Sequence, residues 1–209
     1  MPLILREDHQ DFALACWETR EDLAFFEQHL LYRSQATHTD RKRQQFSSRM
    51  ALKQLLPEFP FDQVVREGEG KPRLLNEEYD FSLTHTQQYS AAIISGTHMV
   101  GVDMERIDAR LLKVEKRFLH AEEYQLLPDD PEQRIIILTL CWSIKETVFK
   151  CFGRSAVDFA GDIRIHAINV DLTLADIEFI PFQSRQTVFC KKVADHWLTA
   201  LAAQKTKSP

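Results

Sequence analysis

Gly101-Val102-Asp103-Met104-Glu105 follows the apolar pair Met99 and Val100, and Trp142-Ser143-Ile144-Lys145-Glu146-Thr147-Val148-Phe149-Lys150 lies further along the chain. Read as a strand, the first run points Asp103 and Glu105 to one face, because successive strand side chains alternate. Read as a helix, the second sets Trp142, Glu146 and Lys150 at four-residue steps on one face and leaves Ile144, Val148 and Phe149 for a core. Three carboxylates and an ammonium of this kind can form a hard-oxygen site for Mg²⁺ carrying a phosphate ester, since Mg²⁺ prefers a few carboxylates and leaves positions for water and phosphate.

Each run alone has an ordinary explanation. A DxE at a strand end is usually solvated surface, and a Glu four residues before a Lys is a common helix pair. Their joint occurrence, with Trp142 one turn ahead of Glu146, sets them apart. On these residues the sequence resembles the 4'-phosphopantetheinyl transferases of the surfactin-synthetase-activating type, whose hallmarks are a GVDxE run and a WxxKExxxK run. Gly101 to Glu105 and Trp142, Lys145, Glu146 and Lys150 match them.

With 209 residues, 44% hydrophobic and 27% charged, the chain reads as a globular protein with one domain or two small ones. Its formal net charge of −5 argues against a nucleic-acid partner, so any basic site must be local. One candidate is Arg41-Lys42-Arg43 followed by Arg49 and Lys53. Cys16, Cys141, Cys151 and Cys190 show neither CxxC pairing nor zinc spacing and read as reduced core thiols. The sequence has no secretory leader pattern and no apolar run long enough to span a bilayer, which predicts a cytoplasmic protein with no membrane partner.

Phe12 to Trp17 reads as a strand and Arg20 to Leu31 as a helix, from the spacing of Leu23, Phe26 and Leu30. Thr39 reads as the N-cap of a second helix that Pro57 ends; Arg49 and Lys53 form a basic ridge on it. Gly68-Glu69-Gly70-Lys71-Pro72 is a turn by composition. Tyr89 to Ser95 is expected to turn through Gly96-Thr97 into Met99 to Val102 as a hairpin. Val114 to Phe118 and Ala121 to Leu127 look helical. Asp130 as N-cap, Pro131 at the first helical position and Gly153 as the stop bound a long core helix. Ile163 to Ile168, Ile177 to Ile180, Val188 to Lys192 and His196 to Ala203 read as strands pairing in sequence, and Lys205 to Pro209 as a disordered tail.

The resemblance implies an α+β fold of two similar, pseudo-twofold-related halves, each a small antiparallel sheet packed on a long helix. The division expected is 1–105 and 106–204, with the active site between them. It further implies that Asp103, Glu105 and Glu146 hold Mg²⁺, that Glu146 is the general base and that Lys150 stabilises the transferred phosphate. Coenzyme A is the implied donor, an apo acyl-, peptidyl- or aryl-carrier protein the acceptor, and a monomer suffices. Arg49 matches the family's coenzyme-contacting arginine, with Arg41 and Lys53 behind it. Lys71 and Pro72 match a pocket-lining Gly-Lys-Pro element. Thr84-His85-Thr86 stands where the family has serine-histidine-serine, so Thr84 and His85 are expected at the coenzyme phosphate, and Ser82 stands where an asparagine is common. Lys145 reads either as a further site residue or as a surface charge.

Two other functions are compatible with parts of the pattern. An acidic triad with a lysine also serves a Mg²⁺-dependent nuclease or phosphodiesterase, although the net charge and the absence of an extended basic run speak against it. A non-catalytic module binding coenzyme A or a carrier would keep the fold, but each expected metal and phosphate residue is present.

Overall fold

The computed structural model describes residues 2–30, 32, 34, 36–66, 70–153 and 156–205. Gly68 and Glu69 of the expected turn, and the tail from 206 onward, lie outside them. Among these residues the chain runs β1 (Leu3–Asp8), β2 (Ala13–Glu18), α1 (Leu23–His29), α2 (Thr39–Leu55), β3 (Val64–Val65), β4 (Arg73–Leu74), β5 (Asp80–His85), β6 (Tyr89–Ser95) and β7 (His98–Arg106). It continues through α3 (Pro131–Phe152), α4 (Phe159–Asp162), β8 (Ile163–Ile168), β9 (Leu174–Phe179), β10 (Ser184–Val193) and β11 (His196–Gln204). The class is α+β with antiparallel sheets.

One sheet has the order β1-β2-β6-β5, the other β7-β11-β10-β9-β8, and β3 pairs with β4. Strand alternation builds the layers. Leu14, Cys16, Ala91 and Ile93 pack against Val100, Val102, Met104, Leu198 and Ala200 between the two sheets. The opposite face of the first sheet, with Ala15, Trp17, Ala92 and Ile94, receives Phe46, Met50 and Leu52 of α2. The outer face of the second, with Trp197, Leu201 and Ala203, receives Leu138, Cys141, Ile144 and Val148 of α3. The layers therefore run helix, sheet, sheet, helix, and β7 puts one face toward the other sheet and one toward α3.

The predicted hairpin from Tyr89 to Val102 is not one. β6 pairs with β2 and β5, whereas β7 pairs with β11, His98 opposite Gln204 through Arg106 opposite His196. Ser95 anchors the short link where the chain changes sheets: its hydroxyl donates to Asp11 O at 2.5 Å and accepts from Thr97 N and His98 N. The second sheet thus takes its edge strand from the N-terminal part of the chain. β8 to β11 form the expected meander.

Helix ends follow local chemistry. Asp130 Oδ1 accepts from Gln133 N at 2.8 Å at the start of α3, and Gly153, at φ 60°, donates its N–H to Phe149 O at the end. α1 is shorter than expected because Asp22, accepting from Phe25 N, caps it. Thr39 is the first helical residue of α2, not its cap; His38 takes that place without a side-chain bond. The helices expected at Val114 to Phe118 and Ala121 to Leu127 are 3₁₀ turns, Glu115–Arg117 and Ala121–Leu126, following another at Ala109–Lys113. Phe118 and Leu127 are fixed in the core, and the few residues between such anchors favour the tighter helix.

Candidate active site

α3 reaches β7 at Gly101. A Cβ there would collide with the Thr147 carbonyl oxygen and lie 2.7 Å from Cys151 N, so only glycine permits this helix–strand approach. Because β7 alternates, Asp103 and Glu105 share with Gly101 the face turned to α3. Trp142 Nε1 donates to Glu105 Oε1 at 3.2 Å, Ser143 Oγ to Asp103 Oδ2 at 2.9 Å, and Lys150 Nζ to Asp103 Oδ1 at 2.6 Å. The two sequence runs are therefore hydrogen-bonded to each other at two places on one helix, Trp142 with Ser143 and, two turns on, Lys150.

Asp103 is buried, and Lys150 keeps about a quarter of its side chain in solvent. Burial, and then the charge of Asp103, push the Glu105 carboxyl up to about 7 against the Trp142 hydrogen bond and Lys150. Burial also raises Glu146, with Lys150 opposing and Asp103 adding to it. Burial works against the Lys150 ammonium, but Asp103, Glu146 and Glu105 together outweigh it and raise its pKa. The three carboxylates thus repel one another in one electrostatic neighbourhood with a single ammonium beside them. Among the described residues no three His, Cys, Asp or Glu side chains are close enough together, as they stand, to hold a metal ion. The donor set of the three carboxylates, hard oxygens carrying excess negative charge, fits a small divalent cation.

The coenzyme-side residues divide. His85 is exposed on β5, and crowding by the protein followed by the charges of Lys150, Arg49 and Arg41 lowers its pKa. Lys150, Arg49 and Arg41 thus each act on the charge of His85. Arg49 lies 3.9 Å over the Tyr32 ring and donates to Gln45 O at 2.9 Å. Lys53 is turned aside to His29 O. Lys71 donates to Asp80 Oδ2 at 2.6 Å and Val100 O at 2.7 Å, so its ammonium is engaged at the junction of the sheets; Pro72 beside it is half-buried. Thr84, buried, faces β7 and not outward with His85: its Oγ1 accepts from Met104 N, donates to Asp103 Oδ1 at 3.3 Å and lies 3.4 Å from Lys150 Nζ.

Thr84 is one of three. Asp80 Oδ2, Ser82 Oγ and Thr84 Oγ1 accept from Val100 N, Val102 N and Met104 N in turn, a seam in which β5 side chains satisfy the free edge of β7. Ser82 belongs to this seam, and Thr86 closes the turn to β6 by accepting from Gln88 N and Tyr89 N. Lys145 is no surface charge. It is fully buried, 2.7 Å from Glu123 Oε2, and donates to Phe159 O and Ile163 O. Ser143, which the motif reading passed over, bonds Asp103 directly; its place between Trp142 and Ile144 was the only available signal.

Beside Trp142 a cavity of about 400 Å³ is lined by Val114, Arg117, Phe118, Val157, Asp158 and Phe159. No helix among the described residues is long and apolar enough to cross a membrane.

Residues 99–202 match the family model of the 4'-phosphopantetheinyl transferase superfamily. The chain is similar to the 4'-phosphopantetheinyl transferase psf-1 of Bacillus pumilus, 31% identical over 99 residues, which is 46% of this chain and 42% of that protein. It is also similar to the 4'-phosphopantetheinyl transferase gsp of Aneurinibacillus migulanus, 30% identical over 86 residues, 41% of this chain and 35% of that protein. The matched stretches cover under half the length of either relative, and residues 99–202 contain both sequence runs.

Proposed function

Because the chain belongs to the 4'-phosphopantetheinyl transferase superfamily, we propose that it moves the 4'-phosphopantetheine group of coenzyme A to a serine of an apo acyl- or peptidyl-carrier protein, leaving 3',5'-ADP. The observation that carries this reading is the hydrogen-bonded meeting of the two runs, Lys150 and Ser143 on Asp103 and Trp142 on Glu105. Asp103, Glu105 and Glu146 would hold Mg²⁺, which when bound supplies Lewis-acid stabilisation of charge on the pyrophosphate oxygens.

The chain's own groups do the rest. Glu146, half-buried and with a raised pKa, takes the proton of the carrier serine directly or through a water. Lys150 offers its ammonium to the transferred or departing phosphate. Arg49 and Arg41 supply the cationic rim for the coenzyme 3'-phosphate and His85 a neutral ring that can donate one N–H, while Lys71, Pro72 and Thr84 border it from the seam. An acidic helical carrier would find a cation beside the cavity at Arg117, which lines it and is exposed, with Lys113 and Lys116 exposed on the same stretch of chain. In this reading the protein acts in the cytoplasm as a monomer, since one chain supplies both runs.

Chromatography of the nucleotide products tests the reading. With coenzyme A, Mg²⁺ and an apo carrier, 3',5'-ADP is expected in step with holo-carrier formation. Cleavage of coenzyme A without any carrier would indicate a phosphodiesterase. Coenzyme binding with no product on any carrier would indicate a binding module.

A further inference from the structure

Beneath Asp103, three hydroxyls lie in a line with no exposure at all: Ser143 and Thr147 on α3 and Thr199 on β11. Ser143 Oγ is 2.8 Å from Thr199 Oγ1, and Thr199 Oγ1 is 2.6 Å from Thr147 Oγ1. Apolar side chains fill the rest of this helix–sheet contact, and isosteric replacements such as valine for threonine would fit the same layer. Burying hydroxyls there is favourable only if each is bonded.

The proton inventory fixes the direction of the chain. Asp103, the ion-pair partner of Lys150, presents only acceptors, so Ser143 must spend its one proton on Asp103 Oδ2 at 2.9 Å. Ser143 Oγ can then meet Thr199 only as an acceptor, which turns the Thr199 proton toward Ser143, at its Oγ or at its carbonyl O 3.0 Å away. Thr147 in turn donates to Thr199, at Oγ1 or at O 3.2 Å away. The hydroxyl–hydroxyl contacts, 2.8 and 2.6 Å, are shorter than these carbonyl contacts, and with the protons in them three donors point one way and end on one carboxylate oxygen, each bond polarising the next.

We propose that Ser143 is a positioning residue for Asp103, aimed by Thr199 and Thr147. The relay holds Oδ2 from below and leaves Oδ1 toward Lys150, where the phosphate chemistry would take place. It rests on the reading of Asp103 as a ligand of the divalent cation, and it adds residues from β11, a strand that neither sequence run includes. Outer groups that orient a metal-binding carboxylate typically change affinity or activity by roughly 10–100-fold when removed.

The test is titration of the metal-free protein with Mn²⁺, a paramagnetic stand-in for Mg²⁺, followed by electron paramagnetic resonance, with wild type, Ser143→Ala, Thr199→Val and Thr199→Ser side by side. Ser143→Ala and Thr199→Val are expected to weaken Mn²⁺ binding by about tenfold or more. Thr199→Ser, which keeps the hydroxyl, is expected to stay near wild type. In the transfer assay the two disruptive variants should lower kcat while leaving KM for coenzyme A near wild type. If both bind Mn²⁺ as wild type does, the relay is overturned. If Thr199→Val does not fold, Ser143→Ala, which removes one oxygen and leaves the Thr147–Thr199 bond in place, decides alone. Wild type that binds no Mn²⁺ contradicts the metal reading itself, and the relay with it.

Discussion

Glu146 is half-buried on α3 with its pKa raised by burial and by Asp103 against the pull of Lys150, which suits a group that must accept a proton near neutrality. Glu146→Gln keeps the shape and removes that capacity, so kcat for carrier modification should fall at least about a hundredfold in a protein whose circular dichroism is unchanged. Near-wild-type turnover would remove Glu146 from both of its roles. His196 behaves differently. It is buried, burial lowers its pKa, and Asp195, 2.8 Å away, only partly offsets this. Below its unfolded value of about 6.5 the unfolded chain takes up a proton that the folded chain resists, so the stability contributed by neutral His196 is complete above that pH and is lost as pH falls through it. Between pH 7 and 5 the Tm of wild type should drop more steeply than that of His196→Gln; equal slopes would contradict this. At this scale Asp103, Glu105, Trp142, Glu146 and Lys150 were legible, because strand and helix periods alone decide which side chains share a face. Ser143, Thr199 and Asp80 were not, because what a hydroxyl or carboxylate meets across an interface depends on packing that no local period encodes.

α3 is the element on which the site is built, and two of its contacts can be broken separately. Gly101 is where the helix backbone rests on β7, and Gly101→Ala would drive a methyl into the Thr147 carbonyl. We expect a loss of about 1–3 kcal/mol in urea unfolding, with activity falling as the helix is pushed off Asp103. On the far side of α3, Lys145 joins the helix to Glu123 and to the carbonyls of Phe159 and Ile163, with neither charge exposed. Lys145→Ala leaves Glu123 buried without its ammonium and should cost about 3–5 kcal/mol, and Lys145→Met combined with Glu123→Leu should recover only part of it, because Glu123 also accepts from His120 N and Ile165 N. A single variant as stable as wild type would mean that the pair is not the clamp described. The ends of α3 were readable from Asp130, Pro131 and Gly153. The burial of Lys145 was not, since a lysine about a hundred degrees from Glu146 on the helix gives no sign that the Phe159–Ile163 segment folds over it.

In the whole molecule, two sheets meet face to face through apolar side chains and edge to edge through Asp80, Ser82 and Thr84 on the N–H groups of β7. This seam explains why Gly96-Thr97, which by length suits a hairpin, instead carries the chain from one sheet to the other. The β8–β11 meander could be read in advance because turn signals punctuate it. The change of sheet could not, since it depends on side chains of β5 far from the turn. The central claim is that β7 and α3 meet to transfer phosphopantetheine, and intact-mass spectrometry of an apo carrier protein panel, incubated with this protein, coenzyme A and Mg²⁺, tests it most directly. The account predicts that at least one carrier gains the mass of a single phosphopantetheine, that EDTA abolishes the gain, and that Glu146→Gln in place of wild type gives little of it. Unchanged carrier masses across acyl- and peptidyl-carriers, from folded protein that binds coenzyme A, would contradict it.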